Sequence, residues 1–289
     1  MTEVTCVANT ADVLGEVPRW HATENALYWI DALKPAIHCY HPASGKVESW
    51  TPPEKLGSFA PCANGGLIIA GRNGFALYDP RLGNFARVSD PENKANENIL
   101  NDGRCDPRGR FWAGSMTKTM KGATGRLYRV DQGRTEACDE NIWVSNGIAW
   151  SPDGATMYFA DSHVHTIFAY DYELASGKLG KRRVFADLNA MVGVPDGASC
   201  DIEGYLWAAM FDGACIARFA PDGRLDRTVP MPISRPTAVA FGGPDLRTMY
   251  ITTARFRLAP EKLATEPHAG GLLALDVGVA GLPEPMYQP

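Results

Sequence analysis

Four side chains of the kinds that bind metal ions recur at one place in a repeated sequence pattern. The pattern has six copies, centred on apolar, mostly aromatic runs at residues 27–29, 67–69, 111–113, 157–159, 206–208 and 249–251. In four copies, the residue 11 or 12 positions before the centre of the run is Glu16, Asn101, Asn146 or Asp196. Such oxygen donors favour hard cations, Ca²⁺ first, with Mg²⁺ or Mn²⁺ next. A cation held there can polarise a carbonyl oxygen or lower the pKa of a bound water.

The repeated pattern indicates which elements position these side chains. Each copy consists of short β-prone runs separated by turns such as Asp153-Gly154 and Asp222-Gly223, which is typical of antiparallel hairpins. Successive centres are 40, 44, 46, 49 and 43 residues apart, which matches a four-stranded propeller blade. The sequence therefore predicts an all-β, six-bladed β-propeller with a central metal site, forming a single domain over residues 1–289. A strand within residues 5–13 is expected to complete the last blade.

A propeller would bring the four polar residues together. The strand before each aromatic run is expected to be the innermost strand of its blade, and the four residues begin four such strands. Their side chains would then converge at one mouth of the central channel. The alternative is that Asn, Asp and Glu at these places only cap turns.

Composition and charge limit the kinds of partner that the chain is expected to bind. The net charge is -5, and no cluster of Lys and Arg predicts a nucleic-acid surface. Neither a secretory signal nor an apolar membrane span is visible, so the chain is expected to be cytoplasmic and not membrane-bound. The seven cysteines are scattered without C-x-x-C spacing, as expected for buried free thiols. The sequence leaves the oligomeric state open.

Several motifs together resemble one known family. Leu-Gly-Glu-Val-Pro at residues 14–18, Asn-Asp-Gly at 101–103, Ser-Asn-Gly at 145–147 and Pro-Asp-Gly at 195–197 follow in this order. Their order and spacing resemble those of the senescence-marker-protein/gluconolactonase/luciferin-regenerating-enzyme family. The resemblance extends from about residue 14 to the Thr-Thr-Ala-Arg stretch at residues 252–255.

The resemblance implies a metal-dependent hydrolase that opens sugar aldonolactones to their acids. Glu16, Asn146 and Asp196 would bind one divalent metal ion, Ca²⁺ first, with Zn²⁺, Mn²⁺, Mg²⁺ or Fe²⁺ also accepted. Asp196 would be the general base, and Asn101 would contact the substrate near the metal. The chemistry of the residues agrees, since Asp196 could take a proton from water while a cation neutralises the developing oxyanion.

One departure from the family concerns substrate recognition. Ile99 occupies the position two residues before Asn101, where the family often has an Arg that can hydrogen-bond sugar hydroxyls. An acidic substrate contact found in some members after the segment equivalent to residues 114–116 also has no obvious match. The metal chemistry is thus expected to be retained and the sugar specificity altered. A pentonolactone, a deoxy-sugar lactone or a modified hexonolactone is open as substrate.

Other interpretations of the sequence lead to different functions. The propeller could be a non-catalytic binding module, or a metal-dependent esterase acting on non-sugar esters. Residues 115–118 spell the S-x-x-K of penicillin-recognising enzymes, but they follow a strand and have no Lys-Thr-Gly partner, so chance is favoured. His163 and His165 could face one way on an extended segment and bind a metal, although a position in solvent or at the pocket rim is favoured.

Overall fold

The computed structural model describes residues 3–93 and 98–289, and these residues form six antiparallel β-sheets. The first strand is β1 (Thr5–Ala8). Blade 1 consists of β2 (Gly15–His21), β3 (Ala26–Asp31), β4 (Ala36–His41) and β5 (Lys46–Trp50). Blade 2 consists of β6 (Leu56–Pro61), β7 (Leu67–Gly71), β8 (Gly74–Tyr78) and β9 (Phe85–Ser89). Blade 3 consists of β10 (Asn98–Cys105), β11 (Phe111–Thr117), β12 (Gly125–Asp131) and β13 (Arg134–Ile142).

The second half of the chain repeats this arrangement. Blade 4 consists of β14 (Ser145–Trp150), β15 (Thr156–Asp161), β16 (Thr166–Glu173), β17 (Lys178–Leu179) and β18 (Arg183–Asp187). Blade 5 consists of β19 (Val194–Cys200), β20 (Leu206–Phe211), β21 (Cys215–Phe219) and β22 (Leu225–Pro230). Blade 6 contains β23 (Pro236–Gly242), β24 (Thr248–Thr253) and β25 (Leu272–Asp276). A 3₁₀ turn (Ser162–Val164) and a short helix, α1 (Pro260–Thr265), lie between strands.

The six sheets close into a ring. The first strand of each blade contacts the first strand of the next, from β2 through β6, β10, β14, β19 and β23 back to β2. The fourth strand of blade 6 is β1, which pairs with β25 so that Thr5 lies opposite Ala274. The prediction of a six-bladed β-propeller is therefore confirmed, and so is the closure by an N-terminal strand. That strand is shorter than predicted.

The aromatic runs form the core between blades. They lie in the second strands, and six buried clusters each join residues of two adjacent blades. Trp29, Trp112 and Trp207 are 0% exposed. The indole N–H of Trp207 donates to Asp201 at 2.9 Å, and that of Trp29 donates to Asp12 at 2.8 Å. Buried indoles keep a polar partner in this way, and these rings are core residues.

The C-terminal segment, residues 277–289, crosses the channel mouth at which the inner strands end. Its backbone meets the ends of three different blades. Ile202 N–H donates to Ala280 O at 3.0 Å, Tyr287 N–H to Pro61 O at 2.8 Å, and Gln288 N–H to Gly109 O at 2.9 Å. The C-terminal segment therefore spans this mouth, which we call the far mouth. The candidate residues lie at the opposite mouth of the channel. None of the helices in the described ranges is long and apolar enough to cross a membrane.

Candidate functional site

Register shifts in the inner strands determine where the four candidate side chains lie. All six pairs of a first and a second strand contain such a shift. Glu16 and Asn146 are the last paired residues before the shift in their strands, and Asn101 and Asp196 lie within it. An extra residue in one strand bends it and redirects the adjacent side chains. The bulges therefore take Asn101 and Asp196 out of regular pairing and leave Glu16 and Asn146 at the last regular pair before the shift.

Two of the bulges require a left-handed backbone directly after a candidate residue. Gly147, which follows Asn146, has φ +59°, and a Cβ at this position would lie 2.9 Å from the carbonyl oxygen of Asp196. Val17, which follows Glu16, has φ +55° although it is β-branched and 1% exposed. Such a backbone is strained for valine and persists only where the surroundings enforce it. Strain of this kind is characteristic of functional sites.

A chain of hydrogen bonds joins the candidate residues of blades 3 and 4 to the backbone of Pro195, directly before Asp196 in blade 5. The amide NH₂ of Asn101 donates to Asn146 Oδ1 at 2.8 Å and to Ser145 O at 2.9 Å. Asn146 Nδ2 donates to Ser162 Oγ at 2.8 Å, and Ser162 Oγ donates to Pro195 O at 2.6 Å. This pattern fixes the orientation of both amides. Both donors of Asn101 are used, which leaves its Oδ1 to accept a hydrogen bond, and Asn146 Oδ1 retains a second lone pair.

Glu16 and Asp196 interact through their charges. The pKa of Glu16 is raised well above its usual value by burial, then by the negative charges of Asp196 and Asp102. Burial and the charge of Asp102 likewise raise the pKa of Asp196, which is 6% exposed. Within residues 3–93 and 98–289, neither Glu16 nor Asp196 forms an ion pair with a basic side chain. The two carboxylates thus share a site in which the charge of Arg19 lowers the pKa of Glu16 less than burial and the neighbouring acids raise it.

A divalent cation fits this donor set. Two interacting carboxylates without an ion-pair partner, together with an amide oxygen that retains a lone pair, are the hard ligands that Ca²⁺ or Mg²⁺ takes. In the described residues, no group of three His, Cys, Asp or Glu side chains could hold a metal. A cation at this mouth would therefore need the neutral oxygen of Asn146 as well as Glu16 and Asp196.

A layer of paired charges lies one step deeper in the channel. We refer to Arg19, Asp102, Arg104 and Glu284 as the charged layer. Glu284 Oε1 is 2.9 Å from Arg104 Nε and 3.3 Å from Arg19 Nε, while Arg19 Nη2 is 3.8 Å from Asp102 Oδ1. Two positive and two negative charges offset one another here. The charge of Arg19 lowers the pKa of Glu16, but the charge of Asp102 raises the pKa of both Glu16 and Asp196, so the layer forms no ion pair that would neutralise the two carboxylates.

Sequence reasoning missed the charged layer and Ser162. Arg19 and Arg104 lie three residues after Glu16 and Asn101, and this repeated spacing is a signal that could have revealed the two arginines. Glu284 gave no such signal because it lies in the C-terminal segment, outside the repeats. Ser162 follows the end of β15, and only the folded chain brings it to Asn146.

The remaining sequence candidates have simpler surroundings. Ser115 is fully buried, its hydroxyl donates to Glu92, and it accepts from Arg126 N–H at 3.0 Å, so it is not available as a nucleophile. His163 is exposed and its ring stacks on Trp143 with centroids 4.3 Å apart. Ile99 is half-buried opposite Met116.

A cavity lies at the far mouth. It has a volume of about 350 Å³ and is lined mainly by apolar residues, including Trp150 and Leu282, together with Arg104 and Glu284. The charged layer separates it from Glu16 and Asp196. The cavity at the far mouth is therefore not part of the candidate site.

The fold and this site define a six-bladed β-propeller with two unneutralised carboxylates and two oriented amides at one channel mouth. Residues 14–255 match the SMP-30/Gluconolactonase/LRE-like region, and the chain belongs to this family. It is 39% identical to the 6-deoxy-6-sulfogluconolactonase of Pseudomonas putida over 284 residues, covering 98% of this chain and 97% of that protein. It is 31% identical to a pentonolactonase of Haloferax volcanii over 97% of both chains.

A solved structure is also closely similar in fold. The calcium-binding protein regucalcin from Agrobacterium tumefaciens superposes with a TM-score of 0.95 at 29% identity, covering 100% of this chain and 98% of that one. The similarity extends over the whole ring, so the relationship is not confined to single motifs.

Proposed function

We propose that this protein is a metal-dependent lactonase that hydrolyses a sugar aldonolactone to the aldonic acid. Glu16, Asn146 and Asp196 hold one divalent cation, which supplies polarisation of the lactone carbonyl and neutralises the charge developing on its oxygen. The donor set and the similarity to a calcium-binding regucalcin favour Ca²⁺. Because the inner strands close a single ring, we also propose that residues 1–289 act as one domain.

The observation that carries the proposal is the pair of buried carboxylates without a basic partner. Burial and the charge of Asp196 raise the pKa of Glu16, burial and the charge of Asp102 raise the pKa of Asp196, and the ion pairs of the charged layer involve neither Glu16 nor Asp196. A pair of this kind is stable in its ionised form when a cation is shared between the two groups. A non-catalytic binding propeller has no need for such a pair.

The protein's own groups have separate tasks in the reaction. Asp196 accepts a proton from the attacking water and returns it to the leaving ring oxygen. Asn101 accepts a hydrogen bond from a substrate hydroxyl through its free Oδ1, because both of its N–H donors are already engaged. Ser162 keeps the oxygen of Asn146 turned toward the channel mouth. The names of the two lactonase relatives support the choice of a lactone as substrate.

The proposal is tested by measuring acid release from a panel of sugar lactones, with spontaneous hydrolysis subtracted. The panel contains pentonolactones, hexonolactones and 6-deoxy-6-sulfogluconolactone. We expect hydrolysis of at least one member, complete loss with chelator, and recovery when Ca²⁺, Mn²⁺, Mg²⁺, Zn²⁺ or Fe²⁺ is added singly.

Two other results would contradict the proposal in different ways. Inactivity on every lactone, together with no bound metal, would favour the binding-module alternative. Hydrolysis of phenyl acetate without hydrolysis of any sugar lactone would favour the non-sugar esterase. The cytoplasmic location stays a prediction that fractionation of the source cells can test.

A further inference from the structure

Three apolar side chains form a continuous surface beside the candidate site. Ile99 in β10 lies opposite Met116 in β11, and Val144, just before β14, bridges to Met116 from the other side. Residues directly opposite each other in antiparallel pairing present their side chains on the same face. All three residues are half-buried, so part of each side chain is open to solvent. We call this surface the apolar wall.

The apolar wall lies on the side of the strands that carries the candidate residues. Ile99 is two residues before Asn101, and Val144 is two residues before Asn146. Ile99 alternates with Leu100 before the register shift, and Asn101, inside the shift, reaches Ser145 O and Asn146 in blade 4. The intervening Leu100 is 4% exposed and belongs to the core between blades 2 and 3. The wall is thus the surface that a molecule held by Asn101 would meet next.

Among the described residues beside the apolar wall, the hydroxyls and carbonyls are either engaged or fully buried: the Ser145 hydroxyl has no partner, but Ser145 is 0% exposed. Ser115 gives its hydroxyl to Glu92, and the carbonyl of Ser145 accepts from Asn101 at 2.9 Å. Thr117 Oγ1 is 3.1 Å from Thr119 Oγ1 and accepts from the N–H of Thr119. A substrate hydroxyl turned toward the wall would therefore leave water without gaining a partner from these groups of the described residues. Such a loss is unfavourable, whereas a methylene or methyl group there gains from burial.

We propose that the apolar wall selects deoxy-sugar lactones, in which the carbon that faces Ile99 and Met116 carries hydrogen where the parent sugar carries a hydroxyl. This inference depends on the proposed lactonase function and specifies its substrate class. Asn101 binds a hydroxyl on the polar side of the same substrate, so the substrate has one hydroxylated and one deoxygenated edge.

The test compares a parent hexonolactone with each of its monodeoxy analogues on the metal-loaded wild-type protein. At least one analogue is expected to have a kcat/KM about 10-fold above the parent, since an added or missing small group in an apolar pocket changes discrimination by about 10-fold or more. The Ile99→Thr variant keeps a branched side chain and adds a hydroxyl, and it should bring this ratio close to 1, mainly through KM. The Met116→Gln variant should act in the same direction.

A matched control is available in Ile202→Thr. Ile202 is 55% exposed in the turn after β19 at the far mouth, so the same chemical change there should leave the preference unaltered. If the wild type hydrolyses the parent at least as well as every analogue, or if both wall variants keep the preference, the inference is wrong while the lactonase function stands. If no lactone is hydrolysed, the proposed function fails together with the inference.

Discussion

Replacing Ser162 with alanine tests whether the amide orientation at the channel mouth matters for metal binding. The Ser162 hydroxyl is 6% exposed and connects two blades, accepting from Asn146 Nδ2 at 2.8 Å and donating to Pro195 O at 2.6 Å. Alanine leaves both partners unsatisfied. At about 1 kcal/mol for each group, the lower end of the usual cost, the free energy of unfolding should fall by about 2 kcal/mol.

The effect on the metal has a different origin. Without Ser162 the Asn146 amide loses one of the two hydrogen bonds that orient it, and only the bond from Asn101 Nδ2 to its oxygen remains. Loss of a residue that orients a ligand typically weakens metal affinity by about 10- to 100-fold. Calorimetric titration of the chelator-stripped protein with Ca²⁺ and Mn²⁺ measures this change directly, and urea denaturation measures the stability.

Ser151→Ala separates the two effects. The Ser151 hydroxyl also has two partners, Asp153 Oδ1 at 2.5 Å and Thr156 N–H at 3.0 Å, but it lies in the turn after β14 at the far mouth. This variant should lose stability and keep its metal affinity. If Ser162→Ala binds both metals as tightly as the wild type, Asn146 is not a ligand that Ser162 orients.

Three further changes have predicted outcomes. Asp196→Ala should abolish lactone hydrolysis without lowering the thermal unfolding temperature of metal-free protein, because it removes a charge that raises the pKa of Glu16; retained turnover would exclude Asp196 as the base. Glu284→Gln should lower the free energy of unfolding in urea by about 3 kcal/mol, since it leaves buried arginines without their counter-charge; an unchanged midpoint would contradict this. A hydrogen bond from Arg81 lowers the pKa of Glu24 from 4.5 to about 2, so its stabilising contribution is full above pH 4.5 and lost as the pH falls toward 2. The stability difference between wild type and Glu24→Gln should shrink over that window, and a difference independent of pH would refute the coupling.

The parts of the fold that the sequence predicted are those set by local pattern. The aromatic runs at residues 111–113 and 157–159 lie in second strands, as predicted. They could be predicted because the apolar alternation and the turn residues that mark a strand both occur within one repeat. The closing strand was placed within residues 5–13, but pairing ends at Ala8. Beyond it, Asp12 N–H donates to Gly270 O at 2.7 Å and the chain turns toward the first blade. The point at which this strand ends therefore depends on contacts with Gly270, which is far away in the sequence.

The parts that the sequence could not predict depend on the closed ring. Glu284 meets Arg104 across 180 residues, and no repeat connects the two. The bulges were missed because Val17 is a β-branched residue, for which a left-handed backbone is disfavoured by local preference. The four candidate residues could be selected because equivalent positions in different repeats become neighbours in a ring. The hydrogen-bond partners of these four residues differ from blade to blade, so no repeated sequence pattern could predict them.

The joining of β1 to β25, with Glu284 beyond it, has a consequence for how the protein is made. Thr5 pairs with Ala274, and the carboxylate that balances two channel arginines follows ten residues later. During synthesis from the N-terminus, the first five blades emerge before either contact can form. Strand β1 stays unpaired until β25 has emerged, and the two arginines lack the Glu284 carboxylate until the segment that carries it leaves the ribosome. We therefore expect metal affinity to arise late and abruptly in a series of nascent chains of increasing length.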